Sequence, residues 1–377
     1  MPVLAKGSVC AGAPNRWLDC EEMPDNARKI SPSLYQFGGN GYLLLDGKGG
    51  ALVVDPTLGD LPALERLLKR VGPLDLRTAT ATHYHVDHSD ALNRVRQRYG
   101  AAVWLHPWVA APLKDRDSAD LPWLPAESVQ PDRVLPEKGH FRWGPYRFAI
   151  RPFPGQTRWH CAFDAAVDGR RVLFSGDNFQ PPSRWNGTGG FCSFNGSRFA
   201  DGFARSARSA LEAAPDIVCN GHGCIYPFAA GHYRRILRWS AAAEKAVADL
   251  CPAPDWLADY DCRAARWEPF VHRAAPGGNL ELSLVYTNHT RQAVKFEATL
   301  APPHGWRGQR QARRCTVPPN ANRTLRFALG IGRGVPAGRH LLAAEITVNG
   351  HAAGEACVAV VDIGRPESAK KRKGKKT

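Results

Sequence analysis

Residues His83, Tyr84, His85, Val86, Asp87 and His88 place three imidazoles and a carboxylate within six consecutive positions. Neutral imidazole nitrogen and carboxylate oxygen are ligands for zinc or iron, and a packed core has no other use for so many together. A His-rich surface loop is the bland alternative, and the density of the cluster argues against it. The flanking pattern says how the cluster is held. Leu76, Thr78, Thr80 and Thr82 alternate with Ala79 and Ala81, the period of a strand. Beyond His88 the period lengthens: Ser89 or Asp90 can cap a helix that carries Leu92, Val95 and Tyr99 on one side. The ligands therefore sit on a strand-to-helix loop. His83 and His85 project to one side of extended backbone, while Asp87 and His88 lie where the chain turns. Two ligand pairs directed into one cleft suggest two adjacent metal ions.

Three later stretches repeat the arrangement of a ligand-type residue at the end of an apolar run. They are Pro154-Gly155-Gln156-Thr157-Arg158-Trp159-His160, Val172-Leu173-Phe174-Ser175-Gly176-Asp177-Asn178 and Ile217-Val218-Cys219-Asn220-Gly221-His222-Gly223. Open sheets present functional residues at strand ends, and the glycines allow close backbone approach or positive φ. The elements before the histidine cluster are strands at 34–37, 42–46 and 51–55, separated by Gly-rich turns, then a helix from an Asp60 cap to Gly72. Asp55 ends an apolar run, where it either caps the following turn or orients a metal ligand from behind. His106, alone at a strand end, reads as a hydrogen-bonded structural residue. Helices at 202–214 and 232–250 close this part of the chain, the second with Tyr233, Ile236, Leu237 and Trp239 on its apolar face.

At 377 residues the chain suits two domains, and its hydrophobic content of 44% is ordinary for a globular protein. No long apolar span or signal-peptide-like run occurs, so a soluble cytoplasmic protein without a membrane span is expected. Ten cysteines are scattered without a Cys-x-x-Cys pair, which favours reduced thiols over a disulfide framework. The net charge is +15, and residues 370–376 alone supply six positive charges. Such a run reads as a solvated, disordered basic tail; beyond it nothing signals nucleic acid.

The motifs His-Tyr-His-Val-Asp-His, Pro-Gly-Gln-Thr, Ser-Gly-Asp-Asn and Asn-Gly-His-Gly, in this order over residues 30–240, resemble those of metallo-β-lactamase-fold hydrolases. The resemblance implies an α/β architecture, an αββα sandwich of two mixed sheets with helices outside and a dinuclear site along one edge. It implies two divalent ions, zinc with iron or manganese as alternatives. His83 and His85 would bind the first, Asp87, His88 and His222 the second, and Asp177 would bridge. The family usually has His where this chain has Gln156. Glutamine offers only a neutral carbonyl oxygen, so His160 is preferred as the remaining ligand, with Gln156 nearby as the reverse option. Water activated by the ions would attack an ester, thioester, lactone or similar small substrate, and Asp87 would orient it and shuttle its proton. Arg184 and Trp185, in the Gly- and aromatic-rich segment after Asp177, would clamp an anionic or planar group. The alternatives are a fold-retaining binding or sensor protein with a metal-poor site, and an iron-dependent sulfur dioxygenase of the same superfamily.

Beyond Cys251-Pro252-Ala253-Pro254 the signal becomes all strand: runs at 280–286, 294–300, 323–329, 340–348 and 354–361 alternate apolar with polar. This resembles the immunoglobulin-like β-sandwich modules appended to many bacterial enzymes. It carries no ligand cluster, which leaves it a structural or partner-binding role, with carbohydrate as a weaker alternative. The expected divisions are an irregular lead-in at 1–28, the catalytic domain at 29–250, a connector at 251–270, the sandwich at 271–363 and the tail at 364–377.

Overall fold

Short apolar runs broken by Gly-rich turns pair into two mixed sheets in the computed structural model, which describes residues 20–181, 193–250 and 263–364. The chain divides into two compact units, residues 1–116 with 121–250 and residues 117–120 with 251–377. The short segment 117–120 therefore belongs with the second unit. Its backbone takes hydrogen bonds from Phe270 and Val271, contacts far apart in the sequence that no local pattern announces.

The first sheet of the first unit runs in chain order through β1 (Glu21–Met23), β2 (Ala27–Ser31), β3 (Leu34–Phe37), β4 (Gly41–Leu45), β5 (Gly50–Val54), β6 (Asp75–Thr80), β7 (Ala102–Leu105) and β8 (Arg133–Val134). Its early pairings are antiparallel; those from β5 to β8 are parallel. The first two strands fall largely in the stretch expected to be an irregular lead-in. They are too short to display a period, and they join through Asp25 and Asn26, both at positive φ. The second sheet has the order β14-β13-β12-β11-β10-β9. These are β9 (Gly139–Trp143), β10 (Tyr146–Pro152), β11 (Cys161–Val167), β12 (Arg170–Gly176), β13 (Ile217–Asn220) and β14 (Ile225–Pro227). Tyr42 of β4 meets Phe174 of β12 edge to face at 5.5 Å, and the Trp143 indole donates to the Thr78 hydroxyl at 3.0 Å, so the sheets face each other.

Among the described residues six α-helices complete this unit: α1 (Leu61–Val71), α2 (Val86–Ser89), α3 (Leu92–Tyr99), α4 (Pro107–Lys114), α5 (Arg205–Ala213) and α6 (Ala230–Leu250). α1 buries Leu61, Ala63, Leu64 and Leu67, each such burial contributing about 1.5–3 kcal/mol for the larger side chains. The architecture is the expected αββα sandwich. Two capping expectations are corrected. Asp60 stands at the start of α1 without capping it, because its carboxylate accepts the backbone N–H groups of Gly39 and Asn40. Neither Ser89 nor Asp90 caps α3, whose first-turn neighbour is Ala91; the Ser89 hydroxyl donates to the carbonyls of Tyr84 and His85, and Asp90 accepts from Leu58. His106 does cap α4, accepting from the Trp108 N–H at 3.2 Å.

The second unit is an all-β sandwich. One sheet has the order β15-β17-β21-β19 and the other β16-β23-β22-β18-β20. The strands are β15 (Ala265–Trp267), β16 (Val271–Ala274), β17 (Asn279–Thr287), β18 (Val294–Leu300), β19 (Trp306–Arg307), β20 (Gln311–Val317), β21 (Asn322–Ile331), β22 (Gly338–Val348) and β23 (His351–Ile363). Inward residues such as Trp267, Leu284, Tyr286, Phe296, Phe327 and Ile346 form its core, with Tyr286 and Phe296 stacked at 4.3 Å. β15 falls inside the stretch read as a connector. β20 escaped the period-2 reading because it is an edge strand, with Arg313 and Arg314 exposed and only Val317 fully buried.

Candidate metal centre

The ends of three strands converge on one carboxylate. β6 runs through Thr82 into His83 and His85 and then into α2, which carries Asp87 and His88. β12 ends at Gly176 and delivers Asp177; β13 ends at Asn220 and delivers His222. The Asp177 carboxylate lies 3.0 Å from His88 Nε2, 3.2 Å from His222 Nε2 and 3.8 Å from His83 Nε2. His83 Nε2 is 3.0 Å from His85 Nδ1. Asp87, at the more open side, places its carboxylate 3.8 Å from His222 Nε2 and 3.9 Å from His88 Nε2. Two sets of donor atoms result, His83, His85 and Asp177 in one and Asp87, His88 and His222 in the other; the atoms of each lie within 4.8 Å of one another.

Local backbone makes this crowding workable. A side chain at Gly221 would overlap Asp177, and one at Gly176, which holds φ +51°, would overlap Thr82 and His160. His222 itself holds φ +58°, uncommon for a residue with a Cβ. Asn40 stabilises that conformation: its Oδ1 accepts the His222 N–H at 2.5 Å, and its amide donates to the Asp87 carbonyl at 2.7 Å and lies 3.2 Å from His88 Nε2. Asp55 is the orienting residue rather than a cap. It is buried, accepts from the Thr82 N–H and hydroxyl at 2.6 and 2.8 Å, and approaches His88 Nδ1 to 3.1 Å.

Burial and charge divide the histidines. Burial, reinforced by the neighbouring imidazoles, holds His83 well below its ordinary range; burial lowers His85 to about 4 and His160 to about 3. These rings are neutral at pH 7, the form that donates a lone pair to a metal. Burial opposes charging His88 as well, but Asp177, Asp55 and Asp87 together raise it well above the usual value; Asp177 also raises His222. Burial would raise Asp177, yet His222 and His88 hold its carboxyl well below the usual range. This donor set fits divalent cations. It joins the neutral imidazoles of His83 and His85 to an ionised, buried carboxylate, and it leaves buried polar atoms such as Gln156 Oε1 and both ring nitrogens of His160 without a hydrogen bond.

His160 lies outside both donor sets. Its ring stacks on that of His83 at 4.7 Å and 16°. The Gln156 amide instead donates to the Asp177 carboxylate at 2.9 Å. Arg184 and Trp185, expected at the substrate, lie outside the described residues. Sequence reasoning missed Asn40, Asn178 and Asn195. Asn178 Oδ1 accepts the Gln156 N–H at 2.8 Å, and Asn195 Oδ1 accepts from the Tyr84 hydroxyl at 2.9 Å. Asparagine in a Gly-rich segment signals a turn, and nothing local distinguishes a turn residue from one that ties loops together.

A family model described as the metallo-beta-lactamase superfamily matches residues 34–222, half of the chain. Hydroxyacylglutathione hydrolase GloC of Haemophilus influenzae is 29% identical over 152 residues, 37% of this chain and 66% of that protein. A hydroxyacylglutathione hydrolase of Albidiferax ferrireducens is 34% identical over 128 residues, 34% of this chain and 42% of that protein. The chain thus spans less than two thirds of the length of either curated relative. Among solved structures, a mutant of the metallo-beta-lactamase from Cronobacter sakazakii with a HARLDQ motif aligns with a TM-score of 0.48 at 18% identity. That alignment covers 60% of this chain and 98% of that one.

Proposed function

This chain belongs to the metallo-β-lactamase superfamily, and we propose that it is a dinuclear metal-dependent hydrolase of small esters, with thioesters as the leading class. The observation that carries the proposal is the gathering of six donor residues from three separate strand ends around Asp177. Both curated relatives are named hydroxyacylglutathione hydrolases, and a hydroxyacylglutathione is a thioester.

His83 and His85 would hold one ion, Asp87, His88 and His222 the other, and Asp177 would stand between them. For the remaining position His160 stays the preferred ligand, since both of its buried ring nitrogens lack a hydrogen bond and imidazole is the stronger donor; Gln156, whose Oε1 is also unpaired, is the reverse option. Bound divalent ions, zinc with iron or manganese as alternatives, supply a nucleophile near neutral pH and polarise the scissile carbonyl. Asp87, with its side chain 48% exposed at the open side, would orient the attacking water and accept its proton. Asp55 and Asn40 hold His88 and the Asp87 backbone in place throughout, and the buried walls around His83 and Asp177 exclude bulk water from that side.

Metal analysis of the purified protein, run beside a panel of thioesters, lactones and phosphodiesters, tests the reading. Near two equivalents of metal with thioester turnover is expected. Near zero metal and no turnover would favour a binding or sensor protein, and oxygen uptake on a persulfide would favour the sulfur dioxygenase reading. No helix among the described residues is long and apolar enough to cross a membrane.

A further inference from the structure

We propose that Trp123 contacts the substrate and makes the site selective for esters and thioesters whose acyl group is apolar or aromatic. The inference rests on the hydrolase reading above and specifies its substrate.

Trp123 combines two unfavourable features. Its side chain is 55% exposed, and its backbone holds φ +58°, a conformation that glycine or asparagine adopts at far lower cost than a bulky residue. The backbone has a structural task, because the Trp123 carbonyl accepts the Val86 N–H at 2.7 Å and so fixes the start of α2. That bond needs no indole. The ring is nonetheless present, edge to face with His85 at 5.2 Å and 77°. A large apolar surface held beside a candidate metal ligand is a place for a ligand to bury apolar area.

A second observation concerns the same histidine. Among the described residues, Trp123 and Phe194 are the two most exposed aromatic side chains, Phe194 at 64%. Phe194 immediately precedes Asn195, whose Oδ1 accepts from the hydroxyl of Tyr84, a ring itself edge to face with His85 at 4.8 Å. Trp123 thus adjoins the His85 end of the metal centre, with Phe194 one residue away from Asn195, whereas the His222 end is lined by Asp87 and Asn40. One side offers apolar area and the other polar groups. An acyl chain would lie on the indole, and the polar part of the substrate would point toward Asp87.

The test uses the full-length, metal-loaded protein and N-acetylcysteamine thioesters of acetate, hexanoate and phenylacetate. For the wild type, kcat/KM is expected to rise from acetyl to the larger acyl groups. Trp123→Ala should lower kcat/KM for hexanoyl and phenylacetyl by about tenfold more than for acetyl, mainly through KM, the scale expected for removing an apolar contact in a pocket. Trp123→Phe should recover most of the difference, and the metal content of both variants shows that the centre is assembled. Equal losses on all three substrates, or none, would overturn the proposal while leaving the hydrolase reading intact. No turnover of any thioester by metal-loaded wild type would overturn that reading, and this one with it.

Discussion

The two units bury different things. In the sandwich the interior is a continuous apolar cluster, with Arg263, His272 and Asn288 as its buried polar residues among those described. In the first unit the sheet ends bury Asp55, Thr82, His83, His85, His88, Asp177, Asn178 and Asn220 side by side. Burying polar groups costs free energy unless each finds a partner, and atoms such as Asn220 Oδ1 and His85 Nε2 have no hydrogen bond. Apolar packing elsewhere in the same unit must offset that cost. The polar sheet ends of the first unit answer a demand other than stability, whereas the core of the second is what apolar packing alone would produce.

Substitutions can break this contrast. The largest effect is expected for Asp177→Ala, which removes the carboxylate shared by both donor sets. Metal content should collapse and thioester hydrolysis fall on the order of a thousandfold, as read by metal analysis and kinetics, with the fold retained by circular dichroism. In the sandwich, Phe296→Ala deletes half of the stack with Tyr286 and should destabilise by about 3–5 kcal/mol in urea titration while metal stoichiometry stays at the wild-type value. Loss of metal from that variant would contradict the division drawn here. Asn40→Ala should weaken metal binding by about 10–100-fold, the effect of losing a residue that orients ligands, measured by chelator competition.

The smallest effect concerns His232, buried near the Gln180 carbonyl and lowered to about 4 by burial and then by Arg235. The unfolded chain protonates it near its ordinary value, whereas the folded chain keeps it neutral until about pH 4. Its contribution is therefore complete above pH 6.5 and is lost as the pH falls from there toward 4. His232→Gln lacks this titration, so the gap in Tm between wild type and variant should narrow from pH 7 to pH 4. A constant gap would remove the argument.

Particular residues show how much was legible beforehand. The cluster from His83 to His88 could be read because its donors are consecutive, and the sandwich strands because one buried face imposes a period of two. The glycines at 176 and 221 marked close approach. Asp60 could not be read correctly: it occupies a capping position, and only the folded chain brings Gly39 and Asn40 within its reach. β20 stayed hidden because an edge strand has little buried face to leave a pattern.

By itself, then, the sequence determined the chemistry on offer: imidazoles and carboxylates at strand ends, an α/β first half and an all-β second half. These depend on residue type and short-range period, which any stretch of chain carries with it. Tertiary structure alone decided that Gln156 rather than His160 reaches Asp177, that Asn40 joins two loops, and that Trp123 stands exposed beside His85. Each of those outcomes is a contact between segments distant in the chain, set by how the sheets pair and pack, and no local pattern encodes it.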